Sequence, residues 1–567
     1  MPQLHTSLKA LEPHLKNLLQ DLEQNHIGQR IADRDHTVWK EDSSEISNRL
    51  GWLDSPHNMV DQLETIDAVV QAVRQAGYTH ALLLGMGGSS LAPEVFRRTF
   101  GITQGYLDLS VLDSTHPDAV LACAERFDPA TTLYIPATKS GGTVETLSFL
   151  KYFYNQTVAA LGKTEAGRHF VAITDPASGL AQLATELDFR HTFLNDPNIG
   201  GRYSALSLFG LVAAALMGVN ISRLLQEVRD TAVAGGDGDI GLTLGAAIGS
   251  AALQNRNKLT LINSPALGSS GVWVEQLVAE SSGKEGRGIL PVDGETLEAP
   301  ATYGDDRLFV YTRLTNDPAH DRAVQDLIDA DQPIVRLDLD DLHQLGALFY
   351  AWEMATIIAG HSLGINPFDQ PNVEAAKILA RQMVDIYQQV GQLPLPQPTL
   401  EENGLTIFSQ SAATSLRQAL NDFLVAAQPT SSSSAESSYI ALQAYTQPSP
   451  AIEAALQALR QTLKDRTQLA TSIGYGPRFL HSTGQLHKGD AGKGLFLQFT
   501  DDPVADAPIP DTPGSPTSTM SFGVLIAAQA LGDGQALLDA GRTVLRIHLG
   551  QNPQAGLDQV RQTLASS

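Results

Sequence analysis

Four short apolar runs lie between residues 81 and 176: ALLLGMGG (81–88), LDLSVLDS (107–114), TTLYIPAT (131–138) and HFVAITDP (169–176). Each is rich in β-formers and ends in Gly, Ser, Thr or Asp. Between them ETIDAVVQAVRQAG and VETLSFLKYFYNQ repeat their apolar positions at helical spacing. Strand–helix alternation predicts a parallel sheet covered by helices, with ligands outside the carboxyl ends of the strands. A second alternating region, 221–392, has LTLINSP, RLFVYTRL and QPIVRLDL as its strand candidates. The apolar run ALSLFGLVAAALMGV (205–219) is too short for a membrane span and reads as a buried helix. The opening MPQLHTSLKALEPHLKNLLQDLEQ reads as an amphipathic helix.

The expected organisation is an α/β chain in four parts. A helical lead-in (1–56) precedes two parallel-sheet subdomains (57–220 and 221–392) and a smaller C-terminal α/β segment (393–567). QLPLPQPTLEENG (392–404) reads as a proline-rich linker, and TVLRIHLG (543–550) as a strand. PTSSSSAESS (429–438) and DDPVADAPIPDTPGSPTST (501–519) are expected to be mobile loops.

Charge and cysteine content narrow the function classes. A formal net charge of −24 argues against nonspecific nucleic-acid binding, because a phosphate backbone would be repelled. An acidic protein that binds a phosphate must do so with backbone N–H groups, hydroxyls and a few placed cations. The single cysteine, Cys123, permits no intrachain disulfide and no thiolate metal cluster. No basic stretch followed by an apolar run opens the chain, so a cytoplasmic protein is expected.

Five motifs carry candidate chemistry. GMGGSS (85–90) stands between a strand and a helix, where glycine N–H groups and the helix dipole suit an anion. It is neither G-x-G-x-x-G nor a Walker loop, and a tight structural turn is the bland alternative. TKSGGTVET (138–146) offers Thr138, Lys139, Ser140 and Thr143, a hydroxyl-rich nest with one cation that suits a phosphate monoester. NIGGRYSALS (198–207) sets Arg202 on a glycine turn. In EQLVAESSGKEGRG (275–288), Gln276 and Glu280 lie four apart on one helix face, with Glu280 at the helix end. In INPFDQPNVEAAK (365–377), Asp369 or Gln370 caps a helix with Pro371 at its first position, which places Lys377 about two turns in. No His/Asp/Glu cluster has metal-ligand spacing.

As a set, and in this order, these motifs resemble the glucose-6-phosphate isomerase family over about residues 50–390. The resemblance implies two flavodoxin-like sugar-isomerase (SIS) units and a homodimer with shared active sites. It also implies aldose–ketose isomerisation of hexose 6-phosphates without a cofactor or metal. By position it puts Gly88 and Ser89 at the sugar phosphate and Thr138, Lys139, Ser140 and Thr143 around the phosphate group. Arg202 would face the enediolate, Gln276 would position the substrate, and Glu280 would be the base. Gln370 and Lys377 would hold phosphate and assist ring opening. Related readings are an isomerase that also accepts mannose 6-phosphate and a non-catalytic sugar-phosphate sensor.

Two features depart from the family pattern. Gly141 and Gly142 replace a bulkier pair, and VDGETLEAPATYGDDR (292–307) lacks the ring-opening histidine. FLHSTGQLHKG (479–489) looks like the missing piece, with His481 in the role and His487 as its rival. The tail from 396 resembles the isomerase half of chains that fuse transaldolase to glucose-6-phosphate isomerase.

Overall fold

The computed structural model describes residues 2–232, 239–426 and 437–566. The serine-rich stretch expected to be mobile lies largely outside the described residues, with only Ser437 and Ser438 inside them. Three large sheets and one two-stranded pair organise the described residues. The first contains five parallel strands in the order Asp108–Leu112, His80–Gly85, Thr132–Ala137, Val171–Thr174, His191–Leu194. The four apolar runs are its first four strands. The fifth, HTFL, is only half buried and gave no sustained apolar run.

The second sheet joins Gln3–Ser7, Ile334–Leu339, Arg307–Leu314, Lys258–Asn263 and Leu290–Val292 in that order. Its first strand corrects the reading of the N-terminus. Gln3–Ser7 forms the edge strand, pairing antiparallel with Ile334–Leu339, and the α-helix begins only at Glu12. The alternating polar pattern of QLHTS suits an edge strand, and the pairing partner lies more than 300 residues away, so no local signal reveals it. The helix Leu208–Leu216 is buried along its whole length.

The third sheet runs Leu400–Glu402, Leu405–Ser409, Thr543–His548, Gly494–Thr500, Tyr439–Tyr445, Ala470–Tyr475. The last four strands are parallel, and the first two form a hairpin over Asn403 and Gly404. The supposed linker therefore ends inside this sheet.

The acidic loop 501–519 is also corrected. Ala507 and Ile509 are buried in the aromatic cluster that covers the first sheet. Pro508–Ile509 pairs with Met520–Ser521, and Asn155 donates to the Ser515 carbonyl (2.7 Å) and accepts from Gly514 N–H (2.7 Å). Its composition looks disordered, but Ala507 and Ile509 find a core that belongs to another part of the chain. Among the described residues no helix is long and apolar enough to cross a membrane.

Candidate active site

A cavity of about 830 Å³ opens at the carboxyl ends of the first-sheet strands, and all twelve residues expected at the site line it. The turn Gly87–Ser89 follows the strand His80–Gly85. The loop Thr138 to Thr143 follows Thr132–Ala137 and leads into the helix Val144–Leu161. Arg202 sits in the turn Gly201–Tyr203, directly against the first glycine turn. A Cβ on Gly88 would lie 1.9 Å from the Gly201 carbonyl oxygen, so the two turns can touch only without a side chain there.

Glu280 lies in the last turn of the helix Ser270–Ser282 and is 7 % exposed. Gln276, one turn earlier, donates to Glu280 Oε2 (3.1 Å) and to the His481 carbonyl (2.7 Å). Its own Oε1 is buried without a partner and remains free to accept a hydroxyl. Arg202, 4 % exposed, donates to Ser281 Oγ (2.7 Å), the carbonyls of Pro367 (2.7 Å) and Asp369 (3.1 Å), and Gln370 Oε1 (3.3 Å). The same guanidinium is 3.4 Å from Glu280 Oε1. Lys284 donates to the Asp369 carboxylate (2.7 Å), and burial together with Arg202 pushes its ammonium down to about 8.

The helix carrying Lys377 is Val373–Val390, so Pro371 is not its first position and Lys377 stands in its second turn. Asp369 is held by Lys284, and Asn372 N–H donates to Gln485 Oε1 (2.9 Å). These tethers keep 369–372 out of the helix. Gln370 is bound to Arg202 rather than capping.

His481 comes from the turn Arg478–His481, which follows the third-sheet strand Ala470–Tyr475 of the same chain. Its Nε2 is 3.0 Å from Glu145 Oε1, and Gln529 donates to that oxygen at 2.7 Å. Burial pushes the Glu145 carboxyl up, but the charge and hydrogen bond of His481, with Lys377 nearby, hold it below its ordinary range. Glu145 lies inside TKSGGTVET, yet its role had no signal in the sequence, because its partner is 336 residues away. His487 is 2 % exposed, packs on Phe496 (ring centroids 5.0 Å) and is absent from the lining of this cavity. Burial, with Lys488 and Arg542, pushes its imidazole well below the ordinary range, so it stays neutral in the core. Within the chain, His481 thus reaches the cavity from the third sheet.

Further contacts fix the third sheet against the first. Arg478 donates two hydrogen bonds of 2.7 Å to Asp113, at the carboxyl end of Asp108–Leu112. His116 Nε2 is 3.0 Å from Asp501.

Residues 17–232 match the family model of phosphoglucose isomerase. The chain is similar to curated glucose-6-phosphate isomerases throughout most of their length. The protein from Parabacteroides distasonis is 26 % identical over 383 residues, 58 % of this chain and 85 % of its own. That from Rubrobacter xylanophilus is 28 % identical over 377 residues, 56 % and 85 % respectively. Among solved structures, a hypothetical protein from Thermus thermophilus superposes with a TM-score of 0.56 at 24 % identity, covering 67 % of this chain and 99 % of that one. A glucose-6-phosphate isomerase from Chlamydia trachomatis gives 0.56 at 17 % identity, covering 67 % and 87 %. At these identities the superpositions speak for a common fold.

Proposed function

We propose that the protein interconverts glucose 6-phosphate and fructose 6-phosphate, with Glu280 moving one proton between C1 and C2. The observation that carries this reading is the meeting of Glu280, Arg202 and Gln276 with a hydroxyl-rich loop in one cavity. A proton α to a carbonyl is weakly acidic, so removing it needs both a base and stabilisation of the enediolate charge. Arg202 is fixed by four hydrogen-bond acceptors and stands beside the carboxylate, ready to meet that charge without reorganising. The phosphate, bound by Thr138, Ser140, Thr143 and the loop amides, anchors the sugar remotely and fixes its reactive geometry.

The substrate is cyclic in solution, so a proton must first pass between the ring oxygen and the anomeric hydroxyl. His481 is the titratable group for this step, oriented by Glu145 as imidazoles commonly are by a carboxylate. The Lys377 side chain has no hydrogen bond or ion pair among the described residues and is available to substrate oxygens.

A coupled assay of fructose 6-phosphate conversion tests the proposal. Glu280→Gln keeps shape and hydrogen bonding but not basicity, and turnover is expected to fall about 10²–10⁴-fold. An inactive wild type, or near-normal turnover of the variant, would falsify the base assignment. The same reading takes the enzyme to be a cytoplasmic, glycolytic homodimer; light scattering of the purified protein tests the oligomer.

A further inference from the structure

Of the five lysines and arginines that line the cavity, all but Lys377 are paired with carboxylates. Arg49 pairs with Glu45 (2.8 Å), Arg202 with Glu280 (3.4 Å), and Arg381 with Glu374. Lys139 belongs to the same pattern. Its ammonium donates to the Pro197 carbonyl (2.7 Å) and to Asp175, whose carboxylate lines the cavity too. The other oxygen of that carboxylate, Oδ1, is buried without any partner.

The backbone explains why the pair forms. Asp175 follows the strand Val171–Thr174, the neighbour of the strand that ends at the phosphate loop. Asp175 N–H donates to the Lys139 carbonyl (3.2 Å), and the Thr174 hydroxyl donates to the Thr138 carbonyl (2.7 Å). Gly141, at φ +69°, lies so close to Gly179 and Leu180 that a Cβ would meet their amide nitrogens at 2.8 and 2.7 Å. The two loops are therefore one rigid unit, and the Lys139 side chain has a fixed partner beside the anion site. Gly141 thus lets the loops pack closely, whereas a Cβ on Gly142 would meet only Ser140 Oγ, at 3.9 Å.

Resting on the phosphate-cradle reading above, we propose that Asp175 sets the affinity of the cradle by holding the Lys139 ammonium in an ion pair, so that a bound phosphate is received by hydroxyls and amides and not by that cation. The pair contributes no net charge. Each of its members alone would change anion binding, in opposite directions. A unit charge about 6 Å from a phosphate dianion in a solvent-like medium shifts binding about tenfold.

Calorimetric titration of the intact protein with inorganic phosphate tests this without requiring turnover. Asp175→Asn is expected to bind phosphate about tenfold more tightly than wild type, and Lys139→Met about tenfold more weakly. The double variant should return to within about threefold of wild type, a rescue that a directly ligating lysine does not permit. The proposal is overturned if Asp175→Asn binds no more tightly, or if the double variant stays as weak as Lys139→Met. Asp175→Ser replaces the asparagine variant if that does not fold. Failure of the isomerase assay with these shifts intact would sink the reaction and leave the cradle standing.

Discussion

The first sheet and the third sheet contribute to one cavity in different ways. The first sheet supplies contiguous loops: a glycine turn after one strand and a hydroxyl-rich loop after the next. Their chemistry lies within a few residues of the strand that positions them, because the carboxyl end of a parallel strand delivers its loop to the crevice. The third sheet supplies a single turn, Arg478–His481, that must be carried across a domain interface before it matters. Its position depends on Asp113, Glu145 and Gln529, which were not chosen by any local pattern. A loop at a strand end can thus be encoded locally, whereas a contact between two sheets is encoded in the docking.

Four measurements break or sharpen that contrast. The largest effect is expected from His481→Ala, which should lower turnover of the cyclic sugar about 10²-fold. His487→Ala should instead lower the melting temperature through a core cavity while leaving the rate per folded molecule near normal. Equal and normal rates for both variants would remove the third sheet from the mechanism.

Next, Gly88→Ala forces a methyl group against the Gly201 carbonyl and should cost about 3 kcal/mol of stability or loop geometry. Denaturant unfolding and the phosphate affinity read this, and an unchanged pair of values would mean the two turns separate at little cost. Arg478→Met removes one partner of a partly exposed ion pair and should cost about 2 kcal/mol of docking. Turnover should fall about tenfold while inorganic phosphate still binds; a parallel loss of both would show that the two regions fold as one.

The smallest effect concerns pH. The Glu145 carboxyl is held below its ordinary range, so its contribution is present above the unfolded value and is lost as pH falls through the folded one. Stability should therefore decline on the acid side of the ordinary carboxylate range, and Glu145→Gln should reduce that slope. An identical acid limb in the variant would contradict the role given to the His481 contact.

The legible part of the site follows from these differences. Thr138, Ser140, Thr143, Arg202, Gln276 and Glu280 stood in motifs whose residue types and spacing already suggested anion binding and proton transfer. Glu145, in the TKSGGTVET motif, gives no signal of its own, because a glutamate in the first turn of a helix is ordinarily a dipole partner in solvent. Asp175 was missed because the ion pair with Lys139 spans 36 residues. The strand Gln3–Ser7 and the packed loop 501–519 were misread for a similar reason: their pairing partners and their core lie elsewhere in the chain.

The sequence by itself determined the alternation of strands and helices, the glycine- and hydroxyl-rich turns that follow the strands, and the placing of Gln276 and Glu280 on one helix face. Periodicity, glycine turns and i, i+4 spacing act over a few residues, and they survive in a linear reading. Only the tertiary structure decided which histidine lines the cavity and that Lys139 pairs with Asp175. Those outcomes depend on burial and on charges meeting across long loops. His481 and His487 are six residues apart on one short segment, and only packing places one beside Glu145 and the other against Phe496.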